Sequence, residues 1–374
     1  MKAASDALAT NGLFLSPYRR WMKSSLAGIA YYSGLLDFYI QFRDRCPAQK
    51  RLFALGYHAV VEDVRRSLEE GMAPPQLISK EVFEKEIDHI ASQFDFLSID
   101  EAVDFIGGKR RLKRDSVLLT IDDGYEGIYH HAYPILKRKG VPAALYLCPD
   151  YVGAGRLLLH DRLFYLIRRM ILARVPIQSV LSEEALPWRL EEIGPAAGSP
   201  LYLTRFLLEA AAPAPLERLI QNLQERFNAA EEDFPPDAKI LSWDMALKMS
   251  EEGMTVGSHT ASHCLLTKAQ PIQVLEELRR SKQALETRLR KKVESLAYPD
   301  GRFNPFVIEA ARACGYRSAV ATADFVNRVG RNPYTLGRRL LWENSAWGGL
   351  SRCSKAMVAC QVKGLFKAPN QTGA

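Results

Sequence analysis

Seven short apolar runs, separated by longer stretches of helical periodicity, constrain this chain more than any other feature. The runs are 52–57 (LFALGY), 116–121 (SVLLTI), 142–148 (PAALYLC), 254–258 (MTVGS), 294–298 (ESLAY), 317–321 (RSAVA) and 336–342 (LGRRLLW). Runs of this length with little polar alternation suit strands covered on both faces, and strands that alternate with helices build a mainly parallel sheet. Between them Val82, Phe83, Ile87, Ile90 and Phe94 recur at helical spacing over 80–96, and a helix over 126–139 stops at Gly140. Pro271 opens a helix over 271–292. Asn304 reads as an N-cap followed by Pro305 in the first turn, with Gly315 closing that helix. The expected class is therefore α/β.

The stretch 156–238 breaks the rhythm. It is helix-rich, holds Pro187, Pro195, Pro200, Pro213, Pro215, Pro235 and Pro236, and falls between the third and fourth strands. A long connection at that position lies where a barrel keeps its active-site loops, so an acidic lid or substrate-selecting insertion is expected. Residues 181–240 hold eleven acids against five bases; the whole chain is +7, so the remainder carries +13. That basic remainder suits an anionic membrane surface or an acidic substrate. No zinc-finger spacing, ribonucleoprotein aromatic motif or recognition-helix pattern accompanies it, so no nucleic acid partner is expected.

Six cysteines (46, 148, 264, 314, 353, 360) are scattered singly, which fits a reducing compartment. Met1 to Asn11 is polar and the next apolar stretch is broken by Arg19, Arg20 and Lys23, unlike a secretory signal. Residues 21–42 are interrupted by Lys23, Ser24, Ser25 and Asp37 and are barely long enough to span a bilayer. After Glu343 the chain has no acid, and Leu350, Cys353, Met357 and Cys360 recur on one face of a helix. The domain reading is a helical extension over 1–50, a barrel over 51–345 interrupted by 156–238, and a basic amphipathic tail over 346–374. The expected location is cytoplasmic; both ends either dock on the fold or, as the alternative, lie peripherally on the anionic inner face of the membrane.

The residues that carry chemistry sit at strand ends. In Thr120-Ile121-Asp122-Asp123-Gly124 an apolar strand stops at two adjacent carboxylates and a glycine lets the chain turn. Where the chain turns, the two carboxylates can diverge into one cavity, one for a metal and one for proton transfer. Alone, such a string is equally a hydrogen-bonded turn. Gly257-Ser258-His259-Thr260-Ala261-Ser262-His263 also follows an apolar strand, and on a helical turn its two histidines would share a face. Two imidazoles and one carboxylate with open positions make a catalytic site for zinc or a similar divalent ion.

With both strings in place the chain resembles the polysaccharide deacetylases of carbohydrate esterase family four, which share the NodB homology domain. Residues 120–124 are similar to that family's first signature, with Ile121 for Phe, and His259 to His263 to its second. Tyr57-His58-Ala59-Val60 and Ala297-Tyr298-Pro299-Asp300-Gly301 resemble two further signatures, in the family's order. The resemblance implies a distorted (β/α)7 TIM-like barrel, here with a helical insertion and amphipathic terminal helices. It implies a metal held by Asp123, His259 and His263, Asp122 as general base, and an oxyanion held near Gly124 and Tyr125, with Tyr298 and Pro299 lining the substrate side. The metal is a divalent ion, zinc first, with cobalt, nickel, iron or manganese as alternatives.

The chain departs from that pattern at two places. Ala297 stands where many members have an arginine that orients the base, with Arg302 just beyond as a replacement; and no histidine follows His263, which leaves His58 and His160 as candidates for the general acid. The implied activity is hydrolysis of the N-acetyl group of an amino sugar in a polysaccharide, oligosaccharide or lipid- or nucleotide-linked precursor. The alternatives are deformylation of a lipid-linked amino sugar, or a non-catalytic glycan-binding protein.

Overall fold

The computed structural model describes residues 17–44, 50–74, 77–183, 194, 198–211, 213–322, 326–345 and 353–365. Leu350, Cys46, Pro187 and Pro195 of the insertion and both extreme ends of the chain lie outside the described residues. The rest falls into two compact units, one of Asp63–Leu77 and Gly155–Lys239, the other of Leu15–Glu62, Ile78–Ala154 and Ile240–Ala374.

The larger unit is built on eight parallel strands: β1 (Leu52–Tyr57), β2 (Asp95–Leu97), β3 (Ser116–Ile121), β4 (Ala144–Leu147), β5 (Thr255–Ser258), β6 (Ser295–Ala297), β7 (Ser318–Thr322) and β8 (Leu336–Leu340). They pair in the order β1-β8-β7-β6-β5-β4-β3, and β1 pairs again with β3 from Leu52↔Ser116 to Tyr57↔Ile121, closing a barrel of seven. These seven are the runs read from the sequence. β2 is the addition: it pairs only with the first half of β3, outside the ring, where helical spacing had extended the preceding helix to residue 96. That helix, Lys80–Ala91, ends earlier, and the buried Phe94 packs edge-to-face on Phe53 at 5.7 Å.

Every residue of β1, β3 and β4 is buried, as a strand between a filled barrel and a helical jacket requires. One cluster joins Leu52 and Ala54 of β1, Leu118 of β3, Tyr146 of β4, Ala297 of β6, Val320 of β7 and Leu336 of β8 to the helix Ile99–Ile106. Side chains from so many strands meet inside the ring. Period two then carries the same inward face from Leu118 to Thr120 and from Leu336 to Arg338, toward the strands' C-terminal ends.

The jacket helices follow their sequence signals. Pro305–Ala313 is capped by Asn304, whose side chain accepts from the Val307 N–H, and Tyr133–Lys139 stops at Gly140 in the left-handed conformation (φ 63°). The smaller unit is helical with a core of its own. Leu163, Leu166 and Ile167 of Leu159–Leu172, Leu203 and Leu207 of Pro200–Ala210, and Leu219 and Leu223 of Pro213–Arg226 are all buried.

At the ends of the chain, helices Pro17–Tyr32 and Leu35–Asp44 meet the C-terminal helix Lys355–Val362 through Ala27, Leu36, Ala356, Met357, Ala359 and Cys360. The C-terminal helix is buried at every residue from Ala356 to Val362. It docks on the fold, and the single apolar face read from Cys353, Met357 and Cys360 understates its burial. Among the described residues no helix is long and apolar enough to cross a membrane.

Candidate active site

Asp122 and Asp123 follow β3, His259 and His263 follow β5, His58 follows β1 and Arg338 lies in β8, so all six converge at the C-terminal mouth of the barrel. The backbone there is bent to serve them. Seven described residues other than glycine have positive φ. Three follow helix C-termini (Arg174, Asn228, Arg290), and the other four are Asp123 (68°), Thr260 (62°), His263 (59°) and Asp300 (59°). Left-handed backbone outside glycine is uncommon and concentrates where function fixes the chain. At Asp123 it swings the second carboxylate round beside the first. Gly124 continues the turn at φ 82°, with Leu147 so close that an added Cβ would sit 2.5 Å from it.

His259 and His263 come together on a loop and not on the helical turn their spacing suggested, because Thr260 and His263 are both left-handed. Their rings meet edge-to-face with centroids 4.8 Å apart. Glu277, on helix Pro271–Leu289, ties the loop down: one carboxylate oxygen accepts from the Ala261 and Ser262 N–H groups at 2.9 Å and the other from the Ser262 hydroxyl at 2.9 Å. Arg280 bridges Glu277 to Asp150.

Nε2 of each histidine lies 3.5 Å from Asp123 Oδ1, and the three ligand atoms are within 4.8 Å of one another. His259 Nδ1 is 2.8 Å from the Ala297 carbonyl. With its proton donated there, the ring turns the Nε2 lone pair toward Asp123 and His263, the orientation a metal-binding imidazole needs. Burial also lowers the His259 pKa. This buried set of two nitrogens and one carboxylate oxygen fits a divalent ion such as zinc. Cys148, fully buried, donates its thiol to the His259 carbonyl, and burial raises its pKa well above the thiol range.

Asp122 is 2% exposed and is gripped by Arg338, itself 2% exposed. Arg338 Nη1 donates to Oδ1 at 2.7 Å, Nη2 donates to Oδ2, and Nη1 also reaches the Thr120 hydroxyl at 3.0 Å. Burial alone pushes the Asp122 carboxyl up; Arg338, then His259, overcome that and hold it below the usual carboxylate range. Arg302, the replacement suggested by the sequence, instead lies 3.3 Å from Asp300. Arg338 was missed, although a charged residue in an otherwise apolar strand was the signal: a buried guanidinium needs a partner.

His58 Nε2 lies 4.0 Å from Asp122 Oδ2 and 3.9 Å from Asp123 Oδ2, and burial lowers its pKa to about 4. His160 belongs to the smaller unit, near the start of its helix Leu159–Leu172, with Nε2 3.7 Å from Asp161 Oδ1. The Gly124 N–H donates to the Asp122 carbonyl at 2.8 Å, and Tyr125, fully buried, bridges to Ile240. Tyr298 is fully buried, its hydroxyl donating to the Tyr334 carbonyl at 3.1 Å, and the buried Pro299 opens the turn that follows.

A family model described as polysaccharide deacetylase matches residues 109–179 and 203–319, half of the chain and most of the site just described. The chain belongs to the polysaccharide deacetylase family. The YxkH protein of Bacillus subtilis strain 168, named for the same family, is 21% identical over 222 residues, 59% of this chain and 50% of its own. The chain thus spans about half the length of that curated relative. Among solved structures, IcaB from Ammonifex degensii aligns over 84% of this chain and 97% of its own (TM-score 0.54, 21% identity). The Streptococcus pyogenes deacetylase PplD in complex with acetate aligns over 81% and 97% (TM-score 0.51, 18% identity). At these identities the likeness carries the fold, and the barrel of this chain is the deacetylase barrel.

Proposed function

We propose that this deacetylase-family protein is a metal-dependent hydrolase that removes the N-acetyl group from an amino sugar. The observation that carries the reading is the division of labour between adjacent carboxylates. Asp123 faces two histidines, while Asp122 is turned to Arg338 and left beside the metal set as a base. A binding protein has no use for that second, arginine-held carboxylate.

Asp123, His259 and His263 would hold the ion. When bound there, a divalent ion polarises an amide carbonyl and makes water nucleophilic at neutral pH. Asp122 then accepts the proton of the attacking water, kept ionised and oriented by Arg338. His58, within 4.0 Å of both carboxylates and neutral by its burial, would take that proton from Asp122 and relay it to the departing amine. The oxyanion would sit near the turn at Gly124 and Tyr125. The products are the free amine and acetate.

The carrier we favour is a lipid- or nucleotide-linked precursor on the cytoplasmic side of a membrane. The scattered cysteines support that side, since Cys148, Cys264, Cys314, Cys353 and Cys360 are all unbridged. The test is release of acetate and of formate by zinc-loaded protein from N-acylated amino sugars presented free, nucleotide-linked and lipid-linked, with Asp122→Asn in parallel. Acetate release that vanishes in the variant supports the reading; formate in place of acetate makes the protein a deformylase. Silence across the panel from folded, metal-loaded protein overturns both.

A further inference from the structure

Of the sixteen large hydrophobic side chains exposed among the described residues, ten belong to the two helices before the barrel. On Pro17–Tyr32 they are Tyr18, Trp21, Met22, Leu26, Ile29 and Tyr32, which at 3.6 residues per turn occupy one arc of about 140°. On Leu35–Asp44 they are Leu35, Phe38, Tyr39 and Phe42, within about 100°. The face turned to the protein holds fewer large side chains: Ala27 and Leu36 are buried and Ala30 and Tyr31 partly so, against Ala356, Met357, Ala359 and Cys360. A helix that merely docks on a core does the reverse, burying its large side chains and exposing its small or polar ones. So concentrated an apolar surface marks a binding face.

We infer that the outward faces of helices Pro17–Tyr32 and Leu35–Asp44 seat the protein on a bilayer surface containing anionic lipid. Tyr and Trp rings, apolar in body and polar at the tip, match the boundary between acyl chains and headgroups. A one-sided stripe on a helix of 16 residues lies in that boundary and does not cross it. Charge selects the anionic surface. Pro17–Tyr32 carries Arg19, Arg20 and Lys23 and no acid, and Leu35–Asp44 carries Arg43 against Asp37 and Asp44, so the two helices together are +2. Asp37, on the second helix, is neutralised by Lys363. Pairing of this face with a second copy about a two-fold axis would set the same cations against one another, whereas an anionic surface complements them.

The inference is independent of the catalytic reading. Its test is cosedimentation of the full chain with vesicles of phosphatidylcholine alone and of phosphatidylcholine mixed with phosphatidylglycerol, beside the triple variant Trp21→Ser, Ile29→Ser, Phe38→Ser and the single variant Phe42→Ser, each checked for fold by circular dichroism. The wild type is expected on the mixed vesicles, with binding weakened by salt. Partitioning should fall at least about tenfold in the triple variant and by a smaller factor in the single one. Wild-type protein left in the supernatant with both vesicles overturns the inference, and that outcome needs no variant. So does undiminished binding by folded variants, or light scattering that shows a wild-type dimer dissolved by the substitutions.

Discussion

Arg338 holds both carboxylate oxygens of Asp122 across 216 residues of sequence, joining the last strand of the barrel, β8, to the end of β3. Both partners are buried, so each makes the other tolerable inside the protein. Ala297 stands where the family resemblance points to an arginine; the guanidinium that contacts Asp122 comes from a different strand.

Arg338→Met should therefore leave a buried, unpaired carboxylate and lower stability by about 3–5 kcal/mol, read by chemical denaturation. The double variant Arg338→Met, Asp122→Asn, which removes the stranded charge, should recover much of that loss while remaining inactive. If the double variant is no more stable than the single, the pairing is not what destabilises the single.

Asp122→Asn should cut turnover by about 10²–10⁴-fold and leave bound metal close to wild-type stoichiometry. Asp123→Asn, His259→Gln and His263→Gln should each lower the metal content of purified protein. Chelation should abolish turnover, and zinc should restore it. Elemental analysis beside turnover separates the two classes, and loss of metal in Asp122→Asn would contradict the division of labour.

Glu277→Gln touches no ligand but removes the charge that gathers the Ala261 and Ser262 N–H groups. Metal affinity should weaken by about 10–100-fold through loosening of the loop, measurable by competition with a chromogenic chelator. Unaltered affinity would show that the left-handed residues alone fix the loop.

Glu86 gives a prediction about pH. It is 1% exposed, accepts a hydrogen bond from the Tyr57 hydroxyl at 2.6 Å, and burial pushes its carboxyl from 4.5 up to about 8. The folded protein then holds a proton that the unfolded chain has released between those values, so this group's contribution to stability is complete below about 4.5 and declines as pH rises toward 8. The slope is at most about 1.4 kcal/mol per pH unit. Glu86→Gln should flatten the decline and make the variant the more stable protein near pH 8, as thermal melts across the range would show.

The barrel was legible because its strands are short, apolar and separated by helices with clear stops such as Gly140 and Asn304-Pro305. The boundary at residue 91 was not, since Phe94 continues the helical period while packing from an extended segment. Asp122, Asp123, His259 and His263 were legible as strings after strands. What hid Arg338 was distance: its reason for being charged is on another strand, and only ring closure supplies it. The histidine spacing was right and its local geometry was not, because left-handed backbone at Thr260 and His263 leaves no trace in residue type. Nothing in the sequence shows that the Tyr298 hydroxyl donates to the Tyr334 carbonyl, 36 residues on.

The double pairing of β1 ties the first strand of the ring to β3, made 59 residues after Tyr57, and to β8, which ends at Leu340. During synthesis the ring stays open until the eighth strand has emerged. A nascent chain can carry Asp122, Asp123 and both histidines long before it carries the guanidinium that makes Asp122 tolerable in the interior. The Arg338–Asp122 pair is thus completed last, and a chain cut short before residue 338 has Asp123, His259 and His263 but an Asp122 without its guanidinium.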